Sequence, residues 1–343
     1  MAPTDRPDVR VTNPTDLLAL VPYLLGYHPT SSLIVLALNG RTVLLTARLD
    51  LPMATGDAQQ WHAALDTVVA TMASHRATAA ILAGYGSAEQ VALAVDAATA
   101  GLTAASIPVT EVLRVADGRC YSLTCTDPAC CPPDGTPFDP ACSSAAAAAT
   151  AAGLVALPDR DALTAELAPV TGPARDAMVA ATITAARFLL ELADAAAPQA
   201  GADPDTSPDT PLGRALLDAG QQYLAFAQRT YRAGRRLDDE QAALLTVLLE
   251  LPAMGDLVAR RTTGQRWQIA MWTDLLRRAE PDFTTVPATL LALAAIQAGD
   301  GARAAIAAQR ALDADPANRL AQLLAQALAA GIDPGTITTL LHG

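Results

Sequence analysis

Lysine is absent from this chain of 343 residues, so all 23 basic residues are arginine. Walker-type phosphate loops, Schiff-base enzymes and Ser–Lys enzymes all depend on a lysine amine, and the sequence excludes these three classes. Aromatic residues are also scarce, at 4% of the chain. The core must therefore be built from Leu, Val, Ile and Ala. Small side chains bury little area each, at about 25 cal/mol per Å², so stability requires many contacts between helices.

Basic residues are also fewer than acidic residues, 23 against 35, and the formal net charge is −12. Because a field of this sign repels a bulk polyanion, nucleic acid is not favoured as a partner. The first residues contain no apolar segment behind a basic start, which predicts no signal peptide. No run of about 18 strongly apolar residues is present, which predicts no membrane span. We therefore expect a cytoplasmic protein in which thiols stay reduced.

The N-terminal part of the chain alternates between helical and strand patterns. Asn13 and Pro14 mark a helix start, and two β-rich runs flank Asn39-Gly40, which predicts a hairpin with a type I′ turn. A helical pattern at 57–75, a short apolar strand and a helix capped by Ser87 follow. A second strand pair turns at Asp117-Gly118. This order predicts an α/β domain over residues 10–140.

Nearly everything from Cys142 onward has a helical pattern. We expect a helical connector at 142–196, a flexible Pro-, Asp- and Gly-rich linker at 197–211 and a helical domain at 212–343. The helices of that domain are predicted at 212–233, 238–250, 265–279, 287–298, 301–313 and 317–330. The spacing of Leu291, Ala292, Ala304, Ala311 and Pro316 follows the small and turn positions of a tetratricopeptide unit. One unit cannot form a solenoid, so the predicted fold class is an α/β domain followed by an all-α, tetratricopeptide-like domain.

Three cysteines lie within seven residues, in the stretch CTDPACCPPDGTP. Cys130 and Cys131 are adjacent, and the short distance between their Cα atoms would strain a disulfide between them. A bond from Cys125 to Cys130 is feasible, but the cytoplasm opposes it. Zinc usually takes four ligands in two spaced pairs, so a site here would need Cys120, Cys142 or a histidine.

The favoured interpretation of this stretch is a proline-rigidified turn with reduced, partly buried thiols. Metal binding by Cys125, Cys130 and Cys131 and a redox or disulfide role are the alternatives. No cofactor is predicted, and zinc is the one cofactor kept as an alternative.

His28, Arg48 and Asp50 are the candidate ligand-binding residues. His28 lies in a loop with two serines nearby, which is a combination used in acid–base or nucleophilic chemistry. No acidic partner can be assigned to it from the sequence, and capping of the next strand explains the loop as well. Arg48 and Asp50 share one side of a strand, where they either contact a ligand or form an exposed ion pair.

Two further patterns are weak. Gly84 and Gly86 follow a strand and precede a helix, as in a nucleotide-binding turn, but Glu89 stands where the third glycine belongs. Four arginines near residues 229–236 either complement a helix C-terminus or bind an acidic group.

Four segments in the same order resemble a known family: DLLALVPYLLGYHPTSSLIVLAL, TARLDLP, CTDPACCPPDGTP and AGDGARAAIAAQRALDADPANRLAQLLAQALAAGIDP. Over residues 12–341 the chain resembles the actinobacterial family called domain of unknown function 4192. That family has no established activity, so the resemblance implies lineage and architecture. It also implies cysteines at 125, 130 and 131, with Cys120 and Cys142 as additions in this chain.

Two functional hypotheses follow. The first is a non-enzymatic binding or scaffold module that contacts a protein partner through its helical domain. The second is an enzyme, or a redox or metal protein, that uses the cysteine turn or His28. An apolar groove on the helical domain would favour the first hypothesis. A deep pocket at His28, Arg48 or Cys125 would favour the second. The ligand and the oligomeric state stay open.

Overall fold

The computed structural model describes residues 11, 13–52, 58–196, 209–332, 335–337 and 339, with side chains up to residue 191 in the helix that ends at 196. The chain falls into two compact units. One runs up to Leu163 and includes Ala329–Ile332, and the other contains Thr164–Leu328. Residues 197–208 of the predicted linker lie outside the described residues, and a helix begins at Pro211.

The first unit is an α/β unit. Its strands are β1 (Ser32–Asn39), β2 (Thr42–Asp50), β3 (Ala79–Tyr85), β4 (Val109–Ala116), β5 (Arg119–Ser122) and β6 (Thr136–Pro137), and its helices are α1 (Pro14–Leu25), α2 (Ala58–Ser74), α3 (Ala88–Ala104) and α4 (Ser144–Ala151). Within the described residues, six strands form one sheet in the order β2-β1-β3-β4-β5-β6. Strands β3 and β4 pair in parallel and the other neighbours pair antiparallel.

Helix α3 supplies the crossover that the parallel pair requires. Leu33 and Leu82 from the sheet share a buried apolar cluster with Val91 and Leu102 of α3 and with Met72 of α2. The two helices therefore bury apolar side chains of the central strands. The predicted caps are present, since Asn13 accepts a hydrogen bond from the Asp16 backbone N–H and Ser87 accepts one from that of Gln90.

The first hairpin forms where it was predicted, but the predicted turn is wrong by one residue. Asn39 pairs with Thr42, so the connection is Gly40-Arg41. Gly40 has a φ of 58°, whereas neither Asn39 nor Arg41 has a positive φ. A single glycine at the first central position is the arrangement of a type II′ turn. Asn39 is thus the last residue of β1 and is not part of the turn. Asp117 and Gly118, both with positive φ, form the second predicted turn.

The second unit is helical. Its helices are α6 (Pro173–Ala196), α7 (Pro211–Arg232), α8 (Asp239–Leu249), α9 (Pro252–Arg261), α10 (Arg266–Arg278), α11 (Thr285–Ala298), α12 (Gly301–Ala314) and α13 (Arg319–Ala329), and α5 (Arg160–Glu166) contains the division between the units. The sequence patterns missed α9, which begins at a proline in its first turn. The predicted fold class is confirmed as an α/β unit followed by a helical one.

Helix α11 is the centre of the helical unit. Its residues from Pro287 to Ile296 are all buried, and it packs along α12 after a connection at Gly299 and Asp300. The likeness to a tetratricopeptide unit is supported only loosely by this helix pair. No single described helix is long and apolar enough to cross a membrane. By length and composition alone, α8 and α9 pass that test together, as a pair bent by 102°.

Candidate functional site

The cysteine-rich stretch is the loop between β5 and β6. The two ends of this loop are held together because β5 and β6 pair, with Cys120 opposite Thr136. The Arg119 guanidinium fastens the C-terminal end by donating to the carbonyl oxygens of Asp134, at 2.5 Å, and Gly135, at 2.8 Å. Gly135 has a φ of 72° and lies against the Tyr121 ring, where a Cβ would be only 2.7 Å from a ring atom. The two ends of the loop are therefore held in a fixed position by strand pairing and by the hydrogen bonds of Arg119.

Backbone hydrogen bonds shape the rest of the loop. The Asp127 carbonyl oxygen accepts from the backbone N–H of Cys130, at 3.2 Å, and of Cys131, at 2.7 Å. The Asp127 carboxylate accepts from the backbone N–H of Ala129 at 2.9 Å, which is an Asx turn. At the other end, the backbone N–H of Cys125 donates to Ser122 Oγ at 3.1 Å. These bonds turn the chain back so that Cys125 meets the cysteine pair.

The three sulfurs converge. The Sγ atoms of Cys125, Cys130 and Cys131 all lie within 4.8 Å of one another, and those of Cys130 and Cys131 are 3.8 Å apart. Cys130 is exposed, and the other two are half-buried. Among the described residues, no fourth His, Cys, Asp or Glu joins this group. The trithiol cluster, as we call Cys125, Cys130 and Cys131, is thus a compact set of three sulfur ligands at the surface.

Within the trithiol cluster, the Cys131 thiol holds its proton tightly. A hydrogen bond with the Cys125 sulfur, followed by burial and a hydrogen bond with the Cys130 sulfur, raises the pKa of Cys131 to about 12. A reactive cysteine needs the opposite shift, since the thiolate is the nucleophile. Without a cation, this arrangement therefore does not produce an activated nucleophile at Cys131.

The other two cysteines lie apart from the cluster. Cys120 is buried in β5, and burial raises its pKa to about 11. Cys142 is exposed, and its thiol donates to the Asp139 carboxylate at 3.2 Å. Both are candidates from the sequence to complete a metal site. The structure brings neither into the trithiol cluster, and all five cysteines are free.

His28 lines a half-open cavity of about 190 Å³ in the α/β unit. The walls are mostly apolar and include Leu18 of α1, Val115 of β4 and Phe138. Tyr85, the last residue of β3, also lines the cavity. Tyr85 was not predicted as a site residue from the sequence, because a tyrosine at the end of an apolar strand is typical of an ordinary core residue. Among the described residues, the lining contains no Ser, Cys, Asp or Glu that could form a nucleophile–base pair with His28.

Arg48 and Asp50 do not line this cavity. They form an ion pair with each other at 2.5 Å, and the Arg48 side chain is 17% exposed whereas that of Asp50 is 72% exposed. The Asp50 carbonyl oxygen also accepts from the Trp61 indole N–H at 2.6 Å. The ion pair explains why these two residues share one side of β2, and a ligand role for them stays a prediction.

The arginines near the end of α7 have partners within the helical unit. The Arg232 guanidinium lies 4.4 Å from the centroid of the Trp267 ring. Arg236 pairs with Asp274, which also accepts hydrogen bonds from Tyr231 and Arg278. Tyr231, Asp274 and Arg278 are buried. A buried charge needs paired partners, so this network accounts structurally for part of the arginine cluster.

The helical unit exposes a few apolar side chains on α6, namely Ile183, Phe188 and Leu190. Ile183 and Leu190 are seven residues apart, which is about 20° short of two full turns, so they share a face, whereas Phe188 lies about 140° from Ile183. Two side chains on one face are a small patch, and exposed apolar residues in small numbers are normal on protein surfaces. A protein partner for the helical domain therefore stays a prediction from the sequence.

The comparison with curated proteins and the comparison with solved structures give no match. The resemblance seen in the sequence is confirmed by a family model, which covers α1, the trithiol cluster and the helical unit. The chain belongs to the family described as "Domain of unknown function (DUF4192)", whose model matches residues 14–335.

Proposed function

We propose that this protein is a metal-binding module that holds a zinc ion with the thiolates of Cys125, Cys130 and Cys131. The fourth position of the ion is left to water or to an incoming ligand. The observation that carries the proposal is the convergence of the three sulfurs within 4.8 Å. The sequence favoured a structural turn because zinc usually takes four ligands in two spaced pairs, and the three cysteines alone do not have that pattern. That objection loses its force, since zinc sites with an open position use three protein ligands.

The spacing of the sulfurs fits the ion. A thiolate sulfur lies about 2.3 Å from zinc, and two such ligands of a tetrahedral ion are therefore about 3.8 Å apart. The Sγ atoms of Cys130 and Cys131 have this separation, 3.8 Å. Cys125 needs only a small movement to reach the same distance from both, because all three sulfurs already lie within 4.8 Å.

The electrostatics favour a cation over a redox nucleophile. Thiolates this close repel one another. Hydrogen bonds with the neighbouring sulfurs raise the pKa of Cys131, so without a counter-charge this thiol keeps its proton. A divalent cation removes this repulsion and takes the place of the protons. Soft thiolate ligands select zinc, copper(I) or iron–sulfur clusters among the common metals. Three ligands on one loop, in a tetrahedral spacing, support zinc.

The test is a titration of the reduced, metal-free full chain with Co²⁺, followed by displacement with Zn²⁺. We expect one ion per chain and a thiolate-to-cobalt charge-transfer band that zinc abolishes. Single Cys→Ser changes at positions 125, 130 and 131 should weaken binding by more than the roughly 10- to 100-fold that loss of an outer-shell partner costs. The matched controls are Cys142→Ser and Cys120→Ser, which should bind like the unmodified chain.

Three results would overturn the proposal. Five titratable thiols with no bound metal would leave the loop as a structural turn. A disulfide from Cys125 to Cys130 or to Cys131, formed under mild oxidation in a chain that binds no metal, would support the redox alternative. A stoichiometry of one ion per two chains would place the site between molecules.

A further inference from the structure

We propose that Glu111 of β4 is a positioning residue of the metal site, and that it holds Cys125 in place through the hydroxyl of Ser122. This role rests on the proposed metal binding, since it serves that site. The Glu111 carboxylate is not a ligand of the ion and acts through hydrogen bonds alone. It fixes the one cysteine of the trithiol cluster that is not adjacent to another in the sequence.

One oxygen of the half-buried Glu111 carboxylate accepts two hydrogen bonds. The hydroxyls of Ser122 and Thr124 each donate to Glu111 Oε1 at 2.7 Å, and hydrogen bonds to a carboxylate are about twice as strong as neutral ones. Ser122 Oγ in turn accepts from the backbone N–H of Cys125 at 3.1 Å. A hydroxyl has one proton to donate and lone pairs that accept. Because Glu111 takes the proton of Ser122, the lone pairs of that hydroxyl stay available to Cys125.

Strand pairing fixes the place of this carboxylate. Leu113 of β4 pairs with Ser122 of β5, and the backbone N–H of Leu123 donates to the Val112 carbonyl oxygen at 2.8 Å. Side chains two residues apart on a strand point to the same side of the sheet, so Glu111 and Leu113 share a side with Ser122. The sheet therefore sets the position of Glu111, and the two hydrogen bonds in series carry that position to the start of the loop.

Cys125 is the ligand for which such support matters most. Cys130 and Cys131 are neighbours in the sequence, and the Asp127 carbonyl oxygen accepts from the backbone N–H of both. Cys125 lies before this turn, and its own backbone N–H is bonded to Ser122 Oγ. A ligand that is in place before the ion arrives loses less conformational freedom on binding. The chain of hydrogen bonds from Glu111 should therefore strengthen metal binding without contacting the metal.

The first test is a Co²⁺ titration of the reduced, metal-free full chain and its variants. Glu111→Leu removes both acceptor oxygens and should lower the affinity for Co²⁺ by about 10- to 100-fold, as loss of an outer-shell partner does. The stoichiometry and the thiolate-to-cobalt band at saturation should stay the same, since the three ligands remain. Glu111→Gln keeps an acceptor oxygen and should retain most of the affinity.

Two further variants follow the path of the hydrogen bonds. Ser122→Ala should weaken Co²⁺ binding as Glu111→Leu does, and the two changes together should weaken it no more than the larger single change, because both act on one interaction. Thr124→Val is the matched control. It removes the other hydroxyl on the same carboxylate oxygen but not the bond to Cys125, and it should bind Co²⁺ like the unmodified chain.

The second test involves no metal. The metal-free full chain is equilibrated with reduced and oxidised glutathione, and the disulfide from Cys125 to Cys130 or to Cys131 is located by peptide mapping. Oxidised glutathione takes up the two electrons and two protons of the protein thiols and becomes two reduced molecules. Glu111→Leu should shift this equilibrium towards the free thiols, because Cys125 then meets the cysteine pair less often, and Glu111→Gln should not.

The two tests separate the role of Glu111 from metal binding itself. If the unmodified chain binds no Co²⁺, the proposed function is wrong, and the disulfide equilibrium still decides whether Glu111 positions Cys125. If Glu111→Leu changes neither the Co²⁺ affinity nor the disulfide equilibrium, Glu111 is only a contact between strands. A loss in Glu111→Gln equal to that in Glu111→Leu would also contradict the positioning role, since an acceptor oxygen is then not what matters. If Glu111→Leu does not fold, Ser122→Ala takes its place in both tests, because it removes the same bond to Cys125.

Discussion

At the scale of single residues, Gly84 and Gly86 are explained by close packing. A Cβ at Gly84 would lie 2.3 Å from Val91 Cγ1 of α3, and a Cβ at Gly86 would lie 2.6 Å from Leu51 Cδ1. Glycine at the end of β3 lets helix and strand approach each other. The weak nucleotide-binding pattern of the sequence is therefore satisfied by steric requirements that need no ligand.

We predict that Gly84→Ala lowers the free energy of unfolding by about 1–3 kcal/mol, because it overpacks a well-filled contact with Val91. Urea denaturation of the full chain measures this effect. Gly84→Ala should lower the free energy of unfolding by less in a Val91→Ala background, because the two methyl groups of Val91 that the new Cβ would contact are then absent. An equal loss of free energy of unfolding in both backgrounds would show that the contact with Val91 is not what requires glycine at position 84.

The candidate sites show what single residues reveal before a structure is known. The sequence shows that Cys130 and Cys131 are neighbours, but it does not show that Cys125 meets them, since this depends on the Asp127 turn and on the pairing of β5 with β6. His28 could be named as a candidate from its loop. Tyr85 could not, because the packing that places it at the cavity leaves no pattern in the sequence.

At the scale of elements, local signals predicted most of the structure well. The caps at Asn13 and Ser87 are local hydrogen bonds, and both are present. The turn after β1 was misplaced by one residue because Asn39 pairs with Thr42 on β2 and so extends β1, and this pairing is not visible in the local sequence. Helix α9 was missed because it is short and begins directly after α8, at Pro252. Errors thus occurred where tertiary contacts or short connections override local preference.

Alanines allow α12 to pack closely against α11, and this contact can be tested. Ala304 is fully buried on α12, whereas its neighbour Ala305 is exposed. Ala304→Phe should overpack the contact and destabilise the chain by about 1–3 kcal/mol. Ala305→Phe places the same side chain on the same helix in solvent, and should change stability by less than about 0.5 kcal/mol. Similar melting temperatures for the two variants would contradict the packing described here.

At the scale of the whole molecule, the charge of the chain suits the proposed metal site. A net charge of −12 raises the local concentration of cations around the protein. Asp127 and Asp134 lie in the same loop as the trithiol cluster. The negative electrostatic field of the chain favours the approach of a cation, and the three sulfurs provide the selectivity for a metal ion that prefers thiolate ligands.

Metal binding should therefore stabilise the folded chain. An ion that binds the folded protein at 100 times its dissociation constant adds about 2.7 kcal/mol, if the unfolded chain does not bind it. We predict that zinc raises the melting temperature measured by calorimetry, and that the increase grows with pH between neutral and mildly alkaline solution. The direction follows because the cysteines must lose their protons to bind zinc, and this costs less at higher pH. The double variant Cys130→Ser, Cys131→Ser is the control and should show no increase. An equal increase in that variant, or an increase that shrinks as the pH rises, would mean that zinc acts elsewhere on the chain.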